Sequence, residues 1–106
     1  MKTFVFIQFS FEAYHHWVTA PKKYAFLRAL HRHMFFVKAA YYTTTDRQVE
    51  FIDLKNITAA QVKRKLEDDR TLMWSCESWA QWLLDNGDFE WVEVSEDNEN
   101  GARVEK

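Results

Sequence analysis

The sequence is poor in several things, and each shortage excludes something. Its 106 residues include a single cysteine, Cys76. No internal disulfide can form, which fits a reducing compartment. No apolar run approaches the ~20 residues of a membrane-spanning helix. The first residues show no charged segment followed by an apolar run and a small-residue cleavage site, so no signal peptide is expected. The formal net charge is −2, which gives no global attraction to nucleic acid or to an anionic membrane. Internal repeats, linkers and low-complexity tracts are also missing. These absences predict one cytoplasmic domain over residues 1–106, with neither nucleic acid nor membrane as a partner.

Aromatic residues are plentiful. They make up 17% of the chain, with five Trp and nine Phe, and hydrophobic residues make up 47%. A domain of this size buries roughly two-thirds of its unfolded surface. The aromatic load exceeds what a small monomer needs, so a subunit interface is its natural outlet.

Alternation marks the strands. In residues 3–11, Thr3, Val5, Ile7, Phe9 and Phe11 share one face while Phe4 and Phe6 share the other. From Arg32 to about Thr45, Phe35, Val37, Ala39 and Tyr41 oppose Met34, Phe36, Ala40 and Tyr42. A strand apolar on both faces is covered on both. Residues 16–30 between these strands are compatible with a loop and a short helix.

Two helices are expected next. Thr58 and Gln61 have capping-box spacing, with Ile57 and Val62 placed as a hydrophobic staple. Ser75 is the second expected N-cap, with Trp74 and Trp79 as its staple and Cys76, Trp79, Ala80 and Leu83 along one helix face. Asn86-Gly87 is a stop signal. Alternation returns over residues 89–96, and Asn100-Gly101 predicts a hairpin turn. The expected order is β-β-α-α-β-β, an α+β fold.

All four histidines lie between residues 15 and 33. His31 and His33 are two apart at a strand start, so their side chains leave one face. His15, at the end of the preceding strand, would add a third imidazole. Three nitrogen ligands with an open position is a catalytic-type zinc arrangement.

Several segments, taken together and in order, resemble the 6-pyruvoyl-tetrahydropterin synthase and 6-carboxytetrahydropterin synthase family. Phe11-Glu12-Ala13-Tyr14-His15 is similar to the segment that carries the family's first zinc histidine, and Leu30-His31-Arg32-His33 to its Leu-His-Gly-His. Val49 to Lys55 is similar to the stretch before the family's first helix. Ser75-Cys76-Glu77 resembles the ligand-binding Thr-Ser-Glu helix start, and Val92 to Glu96 the late strand that ends in a ligand-binding glutamate. The resemblance implies the tunnelling fold: a four-stranded antiparallel sheet with two helices on one face, and sheets joined into a barrel in a trimer or dimer of trimers. It implies Zn²⁺ on His15, His31 and His33, and a pterin- or guanine-type ring on Glu96, beside Ser75, Cys76 and Glu77. A carboxylate suits that ring, because it accepts two parallel N–H bonds from the amino-pyrimidinone edge.

The resemblance breaks at the family's acid–base residues. Leu27 stands where the family has its cysteine base, and no histidine follows His33 to form the family's Asp-His pair. Candidates for a relocated base are Asp68, Glu67, Tyr24 and Cys76. Cys76 sits at a helix N-terminus, where the dipole can lower a thiol pKa, but its place on the apolar stripe also suits a small buried residue. Two functions follow. The first is a zinc protein that senses or sequesters a pterin- or guanine-like molecule without synthase chemistry. The second is a zinc-dependent lyase, synthase or hydrolase on a pterin or purine nucleotide. A structural oligomer that kept the fold and lost the pocket is a third.

Overall fold

The computed structural model of the chain describes residues 1–106. Four strands form one antiparallel sheet in the order β1-β2-β3-β4: β1 Thr3–His15, β2 His31–Thr43, β3 Trp91–Glu96 and β4 Asn100–Glu105. Two helices, α1 Phe51–Asp68 and α2 Cys76–Asp85, connect β2 to β3. The expected α+β order and the four-stranded antiparallel sheet are both present. No helix is long and apolar enough to cross a membrane.

The alternation in β1 and β2 translates directly into a covered and an open face. Ile7, Phe35, Val37 and Ala39 point to the helices and are buried, together with Val92 and Val94 of β3. They meet Val62 of α1 and Trp79, Ala80 and Leu83 of α2. The opposite rows carry Phe6, Tyr14 and Tyr42, all exposed. The register runs from Thr3↔Thr43 to His15↔His31 without interruption, so the two long strands end side by side at histidines. Residues 16–30 therefore form a loop with adjacent ends. It contains a short 3-10 segment, Lys22–Arg28, bent at Tyr24. Trp17 N–H donates to the Leu27 carbonyl at 2.7 Å and Arg28 Nε to the Ala20 carbonyl at 2.8 Å.

Helix α2 starts as expected. The Ser75 hydroxyl accepts from Ser78 N–H, and the Trp74 and Trp79 rings lie 4.9 Å apart. It stops at the expected place too, where the Asn86 backbone N–H and side-chain amide both donate to the Trp82 carbonyl. Gly87 is needed there for space, since a Cβ would come within 2.6 Å of the Phe89 ring.

Helix α1 departs from the expectation. It begins at Phe51, not after Thr58, so Val49 to Lys55 is mostly its first turns rather than a segment before it. Glu50 is the cap, its carboxylate accepting from Ile52 N–H at 2.9 Å. Thr58 sits inside the helix, buried, and its hydroxyl donates back to the Leu54 carbonyl at 2.7 Å. This internal bond lets a cap-type residue lie mid-helix. Ile57 is exposed and Val62 is buried, so no staple joins them.

The β3–β4 turn also differs. Its residues are Asp97, Asn98 and Glu99, while Asn100 and Gly101 already belong to β4. Asp97 (φ 54°) and Asn98 (φ 59°) take the left-handed conformation, which short Asx side chains tolerate better than most. Gly101 serves another purpose: a Cβ there would collide with the Val94 carbonyl.

Candidate metal centre

The covered face of the sheet continues past the core with a change of chemistry. The β2 row that holds Ala39, Val37 and Phe35 ends in His33 and His31, and the β1 row ends in His15. Their ring nitrogens can be chosen so that all lie within 4.8 Å of one another. The rings stand nearly perpendicular in every pair: 73° for His15–His31, 82° for His15–His33 and 89° for His31–His33. Three imidazoles set nearly perpendicular to one another, each with a ring nitrogen inside that distance, could share one metal ion.

The outer nitrogens are held in place. His31 Nδ1 lies 2.8 Å from the Ala29 carbonyl, and His33 Nδ1 lies 2.6 Å from Asp97 Oδ2. A carbonyl and a carboxylate both accept, so each Nδ1 is the donating nitrogen and each Nε2 is the one available to a metal. His31 Nε2 is buried and has no hydrogen-bond partner. A buried polar atom without a partner costs about 1–3 kcal/mol. A metal ion at the convergence point would satisfy it. Burial lowers the His15 pKa, with Glu96 opposing the effect and His31 and His33 adding to it. The neutral imidazole that coordinates a metal is therefore the favoured form.

Asp97 was not legible as a site residue from the sequence, where it is one acid in an acidic turn. The left-handed turn brings it back against β2. Its N–H donates to the Met34 carbonyl at 2.7 Å, and its carboxylate accepts from Met34 N–H at 3.1 Å as well as from His33. These hydrogen bonds hold the Asp97 carboxyl below the usual range, the His33 bond contributing most.

Glu96 pairs in register with Phe35, so it faces the same side as the histidines. Its Oε1 lies 3.2 Å from His15 Nε2 and its Oε2 lies 3.6 Å from His33 Nε2. A cavity of about 610 Å³ opens above this group, within the range of small-molecule sites. His15, His31 and Glu96 line it from the sheet; Ser75, Cys76 and Glu77 line it from the start of α2; Trp17 and Leu27 line it from the 16–30 loop. His15, His31, Glu96, Ser75, Cys76 and Glu77 were expected site residues; Trp17, His16 and Met73, which also line the cavity, were not. A concavity of about 640 Å³ on the open face of the sheet contains Lys38, Glu93 and Arg103 but no histidine.

The relocated-base candidates are scattered. Glu67 and Asp68 are exposed at the end of α1 and Tyr24 is exposed on the 3-10 segment, none of them lining the cavity. Cys76 does line it, but its thiol is pushed up to about 12, by burial first and then by Glu96 and Glu77. The Ser75 hydroxyl is engaged in capping α2. Arg32, between the two strand histidines, points to the opposite face and pairs with Glu12 at 2.9 Å.

No protein-family model matches the chain, and a search of curated proteins finds no match.

Proposed function

We propose that the protein binds zinc through His15, His31 and His33, and that Glu96 holds a pterin- or guanine-like ring in the adjoining cavity, which senses or sequesters the molecule without synthase chemistry. The observation that carries this reading is the partnerless, buried Nε2 of His31 within a converging imidazole triad. Three imidazole nitrogens with an open position suit zinc, and imidazole also takes copper, iron and nickel. Zinc, when bound, supplies a Lewis acid that polarises a ligand oxygen.

The chain's own residues supply the rest. Glu96 offers two carboxylate oxygens to the paired N–H groups of an amino-pyrimidinone edge. Leu27 and Trp17 give the cavity an apolar wall beside that contact, and a bound ring that displaces water would strengthen it. The absence of turnover is supported by the placement of the candidate bases. A general base must reach the proton it removes, and the one candidate facing the cavity is a neutral thiol at ordinary pH.

The reading extends to assembly in a reducing compartment. The open sheet face exposes Phe6, Tyr14 and Tyr42, and β1 and β4 are edge strands. A trimer or dimer of trimers that joins sheets into a barrel covers both. Light scattering at micromolar concentration checks this, and a monomer overturns it.

The decisive experiment is metal analysis together with mass spectrometry of the small molecule retained on native protein purified without chelators. One zinc per chain and an unconverted pterin or guanine compound are expected. Protein without stoichiometric metal overturns the metal half, and a converted product overturns the claim of no turnover.

A further inference from the structure

Glu96 differs from the other acids of its hairpin. Glu93 is paired with Arg103 at 3.2 Å, and Asp97 is clasped by His33 and Met34. Glu96 has no lysine or arginine partner; its ion-pair contacts are the Nε2 atoms of His15 and His33. His33 Nδ1 lies against Asp97, so Nε2 is the nitrogen turned to Glu96. A carboxylate oxygen and an imidazole nitrogen face each other this closely when a positive charge, a proton or a metal ion, lies between them.

The distances say where that charge belongs. Zinc bonds to nitrogen and oxygen are about 2.1 Å, so two ligands of a tetrahedral ion stand about 3.4 Å apart. Oε1 lies 3.2 Å from His15 Nε2 and Oε2 lies 3.6 Å from His33 Nε2, so each oxygen is near that value for one imidazole, and no ion-pair contact joins Glu96 to His31. The register explains how this comes about. His15, His33 and Glu96 sit on three neighbouring strands, on one face and near one end, with Phe35 beneath them. Phe35 is fully buried and packs edge-on against His15, with ring centroids 5.5 Å apart. It forms a rigid floor that keeps the group from sinking into the core.

We propose that Glu96 is the fourth protein ligand of the metal whenever the cavity holds no ring, so that the empty protein has a closed His₃Glu centre. This rests on the metal and ring reading above and adds a regulatory step to it. A ring whose parallel N–H groups donate to both oxygens of Glu96 must draw the carboxylate off the ion. The metal then gains an open position only when a ring is present, and its coordination reports occupancy of the cavity.

The test uses the intact protein loaded with Co²⁺ alone, as wild type and Glu96→Gln, with the coordination number read from the visible spectrum and bound water from proton relaxation. The expected wild-type result is a four-coordinate ion without exchangeable water. Glu96→Gln should gain a water ligand and lose at least the roughly 10- to 100-fold in metal affinity that removing an outer-shell partner costs. If the Gln variant fails to fold by circular dichroism, Glu96→Asp replaces it, since a shorter carboxylate should also admit water. A wild-type ion that already carries water, with the same spectrum in the variants, overturns the fourth ligand and leaves the three-histidine site intact. A wild type that binds no Co²⁺ overturns both.

Discussion

Two ends of one row of side chains teach how this site is made. Along the covered face of β2, Phe35, Val37 and Ala39 are 0–2% exposed. One step further along the same row, His33 keeps 22% of its side chain exposed, and His15 beside it keeps 13%. Backbone pairing is the same at both ends. The core end is held by contact between apolar side chains. The histidine end repeats the same pleat with side chains that fill space less well and coordinate better. The site is thus a continuation of the core by other residues, and its precision comes from the strand register below it.

Exchanging what each end lacks breaks the comparison most sharply. His31→Ala should weaken metal binding more than any other change here, because only two imidazoles and the Glu96 carboxylate remain. It should cost the metal-free fold little, since it removes the partnerless Nε2 together with the ring. Metal analysis and thermal melts of the apo-proteins check both halves. A strongly destabilised apo-variant would show that His31 is a packing residue after all.

Phe35→Ala acts at the junction of the two ends. Phe35 stacks on Phe11 at 5.4 Å and underlies His15. Deleting a buried phenyl costs about 3–5 kcal/mol, which chemical denaturation measures. Metal binding should weaken as well, because the histidines lose their floor.

Asp97→Asn tests the outer support. The amide cannot act as the charged acceptor for His33 Nδ1–H. Metal affinity should fall roughly 10- to 100-fold, with little change in the metal-free melt, as competition with a chromophoric chelator would show. An unchanged affinity would reduce Asp97 to a turn residue.

The smallest effect is at Cys76. Its thiol is raised to about 12 in the folded protein, against an ordinary value near 8.5. A group whose acidic form is favoured by folding stabilises the fold below its unfolded pKa. That contribution shrinks as pH rises through about 9 and is lost near 12. Stability should therefore decline over this alkaline window in the wild type and decline less in Cys76→Ala. Alkylation of Cys76 by iodoacetamide at pH 8 should be slow when folded and fast in denaturant.

The strands and α2 were legible because their residues make local statements: alternation in β1 and β2, Ser75 before an apolar stripe, Asn86-Gly87 after it. The start of α1 was not, because Phe51, Ile52 and Ile57 are exposed and give no inward stripe to read. A mid-helix threonine then looked like a cap. Three imidazoles could be named from His-x-His and a nearby strand end. Asp97 could not, because its role depends on a left-handed turn that sets it against a histidine 64 residues away. Nor was the contact of Glu96 with the imidazoles legible, since it needs the register of β3 on β2.

The 16–30 loop stands with one foot beside His15 and the other beside His31, and those two residues are partners in register. Its Trp17 and Leu27 shape the cavity from above. The histidines belong to the sheet, while the wall belongs to an excursion that leaves and rejoins it at one point. Such a loop is an interchangeable part. Substitutions at Trp17 and Leu27 change what the cavity admits and leave the three histidines where the strands put them, so selectivity can drift on a fixed imidazole platform.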